Sequence, residues 1–340
     1  MTDAATVTPV VRLAPAKLNL TLAVVGRRED GFHALHSVMT PLDLADRLTL
    51  AVDPSRGTGD RLHVEGFDAG PLGDNLVLRA VEAARRAVRG ELGADPPSLA
   101  IRLDKRIPVA AGLAGGSSDA AAAFDGALEA WGASEVLRPS ARSELAASLG
   151  SDVPFFLAGG PALVEGRGER VTPLHGLRLG TGEPEPGLVL VTPAVPTHTK
   201  AVFAAWAGGA MAQPGVAARS SEHFASEFGS GLTAGQLLER AGVLAAANDL
   251  LPAAAVVVEG LVAFRRALMR LLGRPIGLSG SGPTLWALYP SIDAAEMAAS
   301  SVRAAVATGF VAAPGDGAPF VAATTIRTRP TEPEMERSER

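Results

Sequence analysis

Pro108-Val-Ala-Ala-Gly-Leu-Ala-Gly-Gly-Ser-Ser-Asp119 runs without a break into Ala-Ala-Ala-Ala-Phe-Asp-Gly-Ala-Leu128. The first part is too rich in Gly and small residues for a strand, and the second is a strong helix former, so the stretch reads as a loop that opens a helix. Such a junction has a chemical use. Glycines let backbone N–H groups approach an anion without interference from Cβ, and the helix start adds its unsatisfied donors and the positive end of its dipole. Phosphate is the natural guest. The same residues also suit a tight turn with Ser117 or Ser118 as helix N-cap. The spacing is neither Gly-x-x-x-x-Gly-Lys-Ser/Thr nor Gly-x-Gly-x-x-Gly, so P-loop and dinucleotide folds are not supported.

Upstream, alternation from Leu18 (Leu18, Leu20, Leu22 and Val24 against Lys17, Asn19, Thr21 and Ala23) predicts a half-buried strand with Lys17 and Asn19 on one face. Arg47 to Asp53 and Arg61 to Glu65 alternate across a turn-forming stretch and predict a hairpin. Asp74 reads as an N-cap before Val77, Val81, Ala84 and Val88, one face of a helix, and Ser98 to Leu103 returns to strand alternation.

Downstream, a helix over about Ser140 to Leu149 stops at Gly150, and Ser151-Asp152-Val-Pro154 restarts the chain with N-cap chemistry. Gly180 to Gly187 reads as a linker. A helix-rich region is expected from about Pro252, then a strand near Ile276, the loop Ser279-Gly280-Ser281-Gly282-Pro283, a strand Thr284 to Tyr289, and a helix opened by Asp293 and Glu296 in a capping-box pattern. Residues 327–340 carry dense charge and almost nothing apolar, as a disordered tail would. Strands and helices mixed in both halves point to an α+β fold of two domains, residues 10–179 and 188–326.

Composition bounds the partners. The chain has 340 residues, 47% hydrophobic and 20% charged, with no cysteine, which excludes a disulfide scaffold, a thiolate metal site and a Cys nucleophile. A net charge of −5 offers no field to attract nucleic acid or an anionic membrane. No apolar run approaches the ~18 residues of a membrane span, and Met1 to Pro9 lacks the pattern of a secretory signal, so a cytoplasmic location is expected. Six scattered histidines without carboxylate partners at helical spacing outline no metal cage.

Taken together, Ala14-Pro-Ala-Lys17-Leu-Asn19-Leu20, Pro108 to Ala120 and Leu278-Ser-Gly-Ser-Gly-Pro283 resemble, in order and spacing, the three motifs of the GHMP kinases. Arg28-Glu-Asp-Gly-Phe32-His33, Leu149-Gly-Ser-Asp152-Val-Pro154, Glu165-Gly-Arg-Gly-Glu169 and Asn248-Asp-Leu250 extend the likeness to roughly residues 10 to 326. The resemblance implies a two-domain α+β small-molecule kinase with its active site in the inter-domain cleft. ATP would lie on Pro108, Gly112, Leu113, Ala114, Gly115, Gly116, Ser117 and Ser118, with Ser279, Gly280, Ser281 and Gly282 on the phosphate side. Lys17 and Asp152 match the family's catalytic pair. Asp152 would orient or deprotonate the attacking hydroxyl, and Lys17 would keep Asp152 ionised and offset phosphoryl charge.

Mg²⁺ is implied by ATP chemistry, with Ser118 as its candidate ligand. The Gly-Phe-His element further implies a cytidine-diphosphate-linked methylerythritol as the acceptor. Asn19 would contact it, His33 would read the cytosine edge, and Phe32 and Phe203 would stack on the two faces of the ring. Two departures stand out. Phe32 occupies a position where the family usually has Tyr, and Ala114 one where many relatives have Gly, tolerable unless its φ is positive. Competing readings are a GHMP kinase for mevalonate derivatives or homoserine, a non-catalytic nucleotide sensor on the same fold, and an RNA-binding module, the last lacking a basic balance.

Overall fold

The structure is a computed structural model and describes residues 8–53, 59–209 and 216–327. The first half is built on one long strand. β1 (Val10–Asn19) and β2 (Ala23–Arg27) both pair antiparallel with β3 (His33–Val52), whose 20 residues also accept two later strands. β4 (Arg61–Gly66) leads through α1 (Leu76–Leu92) to β5 (Leu99–Lys105), and α2 (Gly115–Ala130), α3 (Pro139–Leu149) and α4 (Val153–Ala158) follow before β6 (Ala162–Gly166) and β7 (Arg170–Pro173). The result is a mixed seven-stranded sheet in the order β4-β5-β3-β6-β7, with β1 and β2 on β3.

The second half starts with β8 (Gly187–Thr192), then packs six helices in sequence: α5 (Thr199–Ala207), α6 (Val216–Gly229), α7 (Ala234–Glu239), α8 (Ala241–Ala246), α9 (Leu251–Val257) and α10 (Leu261–Leu272). β9 (Gly277–Leu278), β10 (Leu285–Tyr289), α11 (Ile292–Ala307) and β11 (Phe320–Thr325) complete an antiparallel sheet, order β11-β8-β10-β9. Among the described residues no helix is long and apolar enough to cross a membrane.

Burial follows sequence period where the period was clean. Val77, Val81, Ala84 and Val88 all lie on the buried face of α1, against Ala120, Ala123, Phe124 and Ala127 of α2. A second cluster joins the halves: Ala16, Leu18, Leu20 and Val38 pack with Leu188, Leu190 and Trp286 and with Phe224 and Phe228 of α6. This explains one correction. The Lys17 to Val24 segment is not half-exposed, because Ala14 to Ala23 is buried on both faces, and it is not one strand but the corner between β1 and β2.

Residues 47–52 and 61–65 are both extended, yet they do not form the expected hairpin. β5 lies between them, antiparallel to β3 and parallel to β4, because the crossover through α1 returns the chain beside β4 in the same direction. Three caps also shift. Asn75, not Asp74, caps α1 by accepting from the Val77 N–H; Ala114, not Ser117 or Ser118, occupies the N-cap of α2; and Ser291 caps α11 by accepting from Ala294, so Asp293 and Glu296 lie inside the helix. Helices begin well before Pro252, at Thr199. Of the expected tail, residues 327–340, Arg327 is not loose, because its N–H donates to the Pro41 carbonyl at 2.9 Å and its guanidinium pairs with Asp43 at 2.8 Å, and the rest lies outside the described residues.

Two details of β3 govern where the Lys17 side chain is aimed. Between Pro15 and Lys17 the register with β1 slips, as the partner residue moves from Ala45 to Pro41. The intervening residues of β3 reach the other sheet, where Leu42 bridges Ile326 and the Leu44 N–H donates to Thr324 Oγ1 at 2.8 Å. An irregularity of this kind breaks the simple alternation of side chains and re-aims its neighbours. Lys17 is the neighbour here.

Candidate active site

A cavity of about 420 Å³ opens where the two halves meet. Its lining includes Lys17 and Asn19 from β1, Pro108 to Gly112 and Ala114 to Ser117 from the loop and first turn of α2, Asp152 before α4, Phe203 from α5, and Gly280 and Ser281. Sequence positions scattered over more than 260 residues therefore converge on one space. Leu113, Ser118, Ser279 and Gly282 are buried behind it, while Phe32 and His33 lie outside its wall.

Lys17 is almost wholly buried, and its ammonium meets polar partners. Nζ donates to Asn19 Oδ1 and, at 2.9 Å, to the Gly112 carbonyl, and it lies 3.9 Å from Asp152 Oδ2. Burial pulls its pKa below the ordinary lysine range, and the Asp152 carboxylate pulls back the other way. Asp152 sits at the N-cap position of α4 but makes no side-chain cap bond there, so the expected N-cap chemistry is absent and the carboxylate is left facing Lys17.

The loop is strained and held from behind. Ala110 and Ala114 both adopt positive φ, +53° and +54°, a conformation that costs an L-residue about 1–2 kcal/mol. The condition set for Ala114 is thus not met, and its methyl is carried in a left-handed turn. No side chain caps α2, so the first-turn N–H groups of Gly115, Gly116 and Ser117 remain for an anion in the cavity. Gly112 has φ +78°, and a Cβ there would stand 2.3 Å from the Ser279 carbonyl and 2.9 Å from that of Gly282. Ser279 Oγ also donates to the Gly112 carbonyl (3.0 Å) and Thr284 N to Ala111 O (3.3 Å). The two Gly/Ser loops are clasped backbone to backbone. Asn248 fixes the second by donating to the carbonyls of Leu278 and Gly280 at 2.9 and 3.0 Å.

Beneath the loop lies a buried charge cluster that no sequence motif singles out. Lys105 pairs with Asp46 and, at 2.8 Å, with Asp119, and Asp46 Oδ1 accepts from the Arg106 and Ile107 N–H groups. Lys105 also lines the cavity, and a Cβ on Gly115 would approach its Nζ to 2.8 Å. Burial, reinforced by Asp46, raises the Asp119 pKa despite Lys105. The available signal was a lysine closing an otherwise apolar alternating strand directly before the Gly-rich loop.

On the acceptor side the rings differ from expectation. The ring facing Phe203 is that of His33, stacked at 5.1 Å between centroids and 15° between planes, with Trp206 edge-on to the same imidazole. Phe32 is half exposed beneath the Arg167 guanidinium, 5.5 Å from its centroid. Phe32 and Phe203 therefore do not face one another as two sides of a sandwich, because consecutive residues at a strand end point apart and it is His33 that turns toward α5. Burial, aided by the Arg27 charge, lowers the His33 pKa, so the imidazole is neutral at pH 7. The Glu165 to Glu169 turn closes this end, with Gly168 packed so tightly on Ser151 that a Cβ would lie 2.3 Å from its carbonyl oxygen.

A cation–carboxylate pair beside an uncapped, Gly-rich helix start is the site of a small-molecule kinase, and residues 75–160 match the GHMP kinases N terminal domain. The chain is 38% identical over 294 residues to 4-diphosphocytidyl-2-C-methyl-D-erythritol kinase of Pelotomaculum thermopropionicum, spanning 86% of this chain and 94% of that one. It is 39% identical over 308 residues to the enzyme of that name from Paramagnetospirillum magneticum, with 88% and 95% covered. A crystal structure of 4-(cytidine 5'-diphospho)-2C-methyl-D-erythritol kinase aligns with TM-score 0.65 and 31% identity over 93% of this chain and 99% of that one. A homoserine kinase from Cytophaga hutchinsonii, at 18% identity and TM-score 0.62, shares the fold. The chain belongs to the 4-diphosphocytidyl-2-C-methyl-D-erythritol kinase family of the GHMP kinases. Its activity is that of the class, phosphoryl transfer to the alcohol group of a small molecule.

Proposed function

We propose that this protein phosphorylates the 2-hydroxyl of 4-diphosphocytidyl-2-C-methyl-D-erythritol with ATP, a step of non-mevalonate isoprenoid precursor synthesis. The observation that carries the reading is Lys17 Nζ at 3.9 Å from Asp152 Oδ2, inside the cavity that the uncapped start of α2 also faces. Asp152 accepts the hydroxyl proton, the hydroxyl oxygen forms a bond to the γ-phosphorus, and the bond from that phosphorus to the β-phosphate oxygen breaks to release ADP. Lys17 offsets the charge that develops on the phosphoryl oxygens. The N–H groups of Gly115, Gly116 and Ser117 hold the phosphates, and Lys105, neutralised by Asp46 and Asp119, supports the same turn from beneath.

The residues present fit the Mg²⁺ that accompanies ATP. Mg²⁺ takes hard oxygen ligands, one or two from protein, and Ser118 Oγ and Asp119 Oδ1 are buried oxygens without a hydrogen-bond partner, the fourth and fifth residues of α2. They are the groups that would hold it, and the ion would neutralise phosphate charge. The stacked rings of His33 and Phe203 are a platform that suits an acceptor carrying a nucleobase.

The test is a coupled assay of ADP release with ATP and each of three acceptors: the diphosphocytidyl compound, mevalonate and homoserine. Turnover confined to the first, with a new phosphomonoester in the ³¹P spectrum of the product, is expected. Turnover with either other acceptor alone, or none with any, rejects the reading.

A further inference from the structure

Behind Lys17 runs a chain of hydrogen bonds whose direction can be read from its far end. Ser37 Oγ donates to the Thr21 carbonyl at 2.5 Å. A hydroxyl has one proton, so with that proton committed the Ser37 oxygen can serve its next neighbour only as an acceptor. Asn19 meets it with Nδ2 at 2.8 Å. The carboxamide is thereby set with its NH₂ toward Ser37 and its Oδ1 toward Lys17, whose ammonium has donors alone to offer. Reversing the amide would bring NH₂ against NH₃⁺ on one side. On the other it would face the carboxamide oxygen with a hydroxyl whose proton is already used.

Burial makes the arrangement matter. Ser37 is 0% exposed, Asn19 2% and Lys17 3%, so bulk water does not replace a lost partner, and each unmade bond carries its full penalty. The far end is anchored as well. Thr21 Oγ1 accepts from the Val38 N–H at 3.0 Å and shares a hydrogen bond with Ser221 Oγ of α6 at 2.7 Å, and Ser221 is bonded in turn to His36 Nδ1 at 2.8 Å. Ser37 itself does not line the cavity.

We propose that Ser37 is a positioning residue for phosphoryl transfer: its committed hydroxyl orients the Asn19 carboxamide, which holds Lys17 Nζ against the Gly112 carbonyl and facing Asp152. The proposal rests on the reading of Lys17 and Asp152 as the reacting pair. Ser37→Ala removes the acceptor for Asn19 Nδ2 while changing little volume, and frees the amide to turn.

The experiment has two arms on the full chain. In the first, steady-state kinetics of Ser37→Ala should show kcat reduced at least tenfold with KM for ATP within twofold of wild type. In the second, the side-chain NH₂ resonances of Asn19, assigned by their loss in Asn19→Asp, should be protected from hydrogen exchange in the wild type and exchange at least tenfold faster in Ser37→Ala. Unchanged exchange overturns the proposal, and so does a kcat loss matched by an equal rise in KM for ATP, which would mean general loosening of the fold. If the wild type fails to use the diphosphocytidyl acceptor, the functional reading fails by itself, and the exchange arm still decides whether Ser37 orients Asn19.

Discussion

Lys17 Nζ and Asp152 Oδ2 stand 3.9 Å apart although they come from the first strand of one sheet and the turn before α4. That separation is too long for a strong hydrogen bond and short enough for electrostatic control of the carboxylate. It leaves room for a substrate hydroxyl to approach Asp152 without displacing Lys17 from Gly112. Asp152→Asn keeps the shape of the side chain and removes the base. Turnover should fall by at least ~10²-fold, with ATP affinity by calorimetry unchanged. Near-normal turnover in the variant would remove Asp152 from the mechanism.

Lys17 makes a pH prediction with a definite sign. Its folded pKa lies below the value of about 10.4 in the unfolded chain. Between those two values the unfolded state binds more protons at this site, so stability rises with pH across that window. Lys17→Met lacks the group and should lose the rise. Denaturant melts of both proteins on the alkaline side, below about pH 10.4, measure the difference, and parallel curves would contradict it.

Ala114 offers a stabilising change. Its φ of +54° is one that Gly adopts without steric cost, whereas the methyl is penalised by about 1–2 kcal/mol. The greater freedom of Gly in the unfolded chain returns about 0.5–1 kcal/mol of that. Ala114→Gly should therefore stabilise the protein by up to about 1 kcal/mol without weakening ATP binding. A lower melting temperature would show that the methyl contributes packing that outweighs its strain.

His33 bears on base selection. On the proposed function, stacking on Phe203 would suit any pyrimidine, and the hydrogen-bonding edge of the neutral His33 imidazole is the group expected to discriminate. A mismatched buried partner costs about 1–3 kcal/mol, so the uridine analogue of the acceptor should lose roughly 5- to 150-fold in kcat/KM. His33→Ala should shrink that ratio, and Phe32→Tyr should leave it, because Phe32 lies beneath Arg167 and away from Phe203. Full discrimination by His33→Ala would assign base reading to another group.

The parts of this molecule legible in its sequence are those with local causes. The loop at Pro108 to Ser118 announces itself by composition, and α1 by a clean helical period. The four residues Lys17, Asn19, Asp152 and Phe203 line one cavity. What escaped is non-local. Lys105 has no motif of its own, and its importance comes from Asp46 and Asp119 arriving from other elements. The parallel pairing of β4 with β5 depends on a crossover that alternation cannot signal. Helices α5, α7 and α8 are short, 9, 6 and 6 residues, too few turns for a helical period to stand out in the sequence. The ring contact of His33 in place of Phe32 turns on which way a strand end faces.

The clasp of the two loops, made by the hydrogen bonds from Ser279 Oγ to the Gly112 carbonyl and from the Thr284 N–H to the Ala111 carbonyl, has a mechanical consequence. It ties the two halves of the molecule at the floor of the cleft, where the reacting groups lie, while the ring platform at His33 and Phe203 lies toward the rim. A pair of jaws bound at the root cannot gape as rigid bodies without breaking backbone hydrogen bonds. Traffic of nucleotide and acceptor must then be accommodated by side chains and turns at the mouth. Lys17 and Asp152 both belong to the first half, so their 3.9 Å separation does not depend on this tie between the halves.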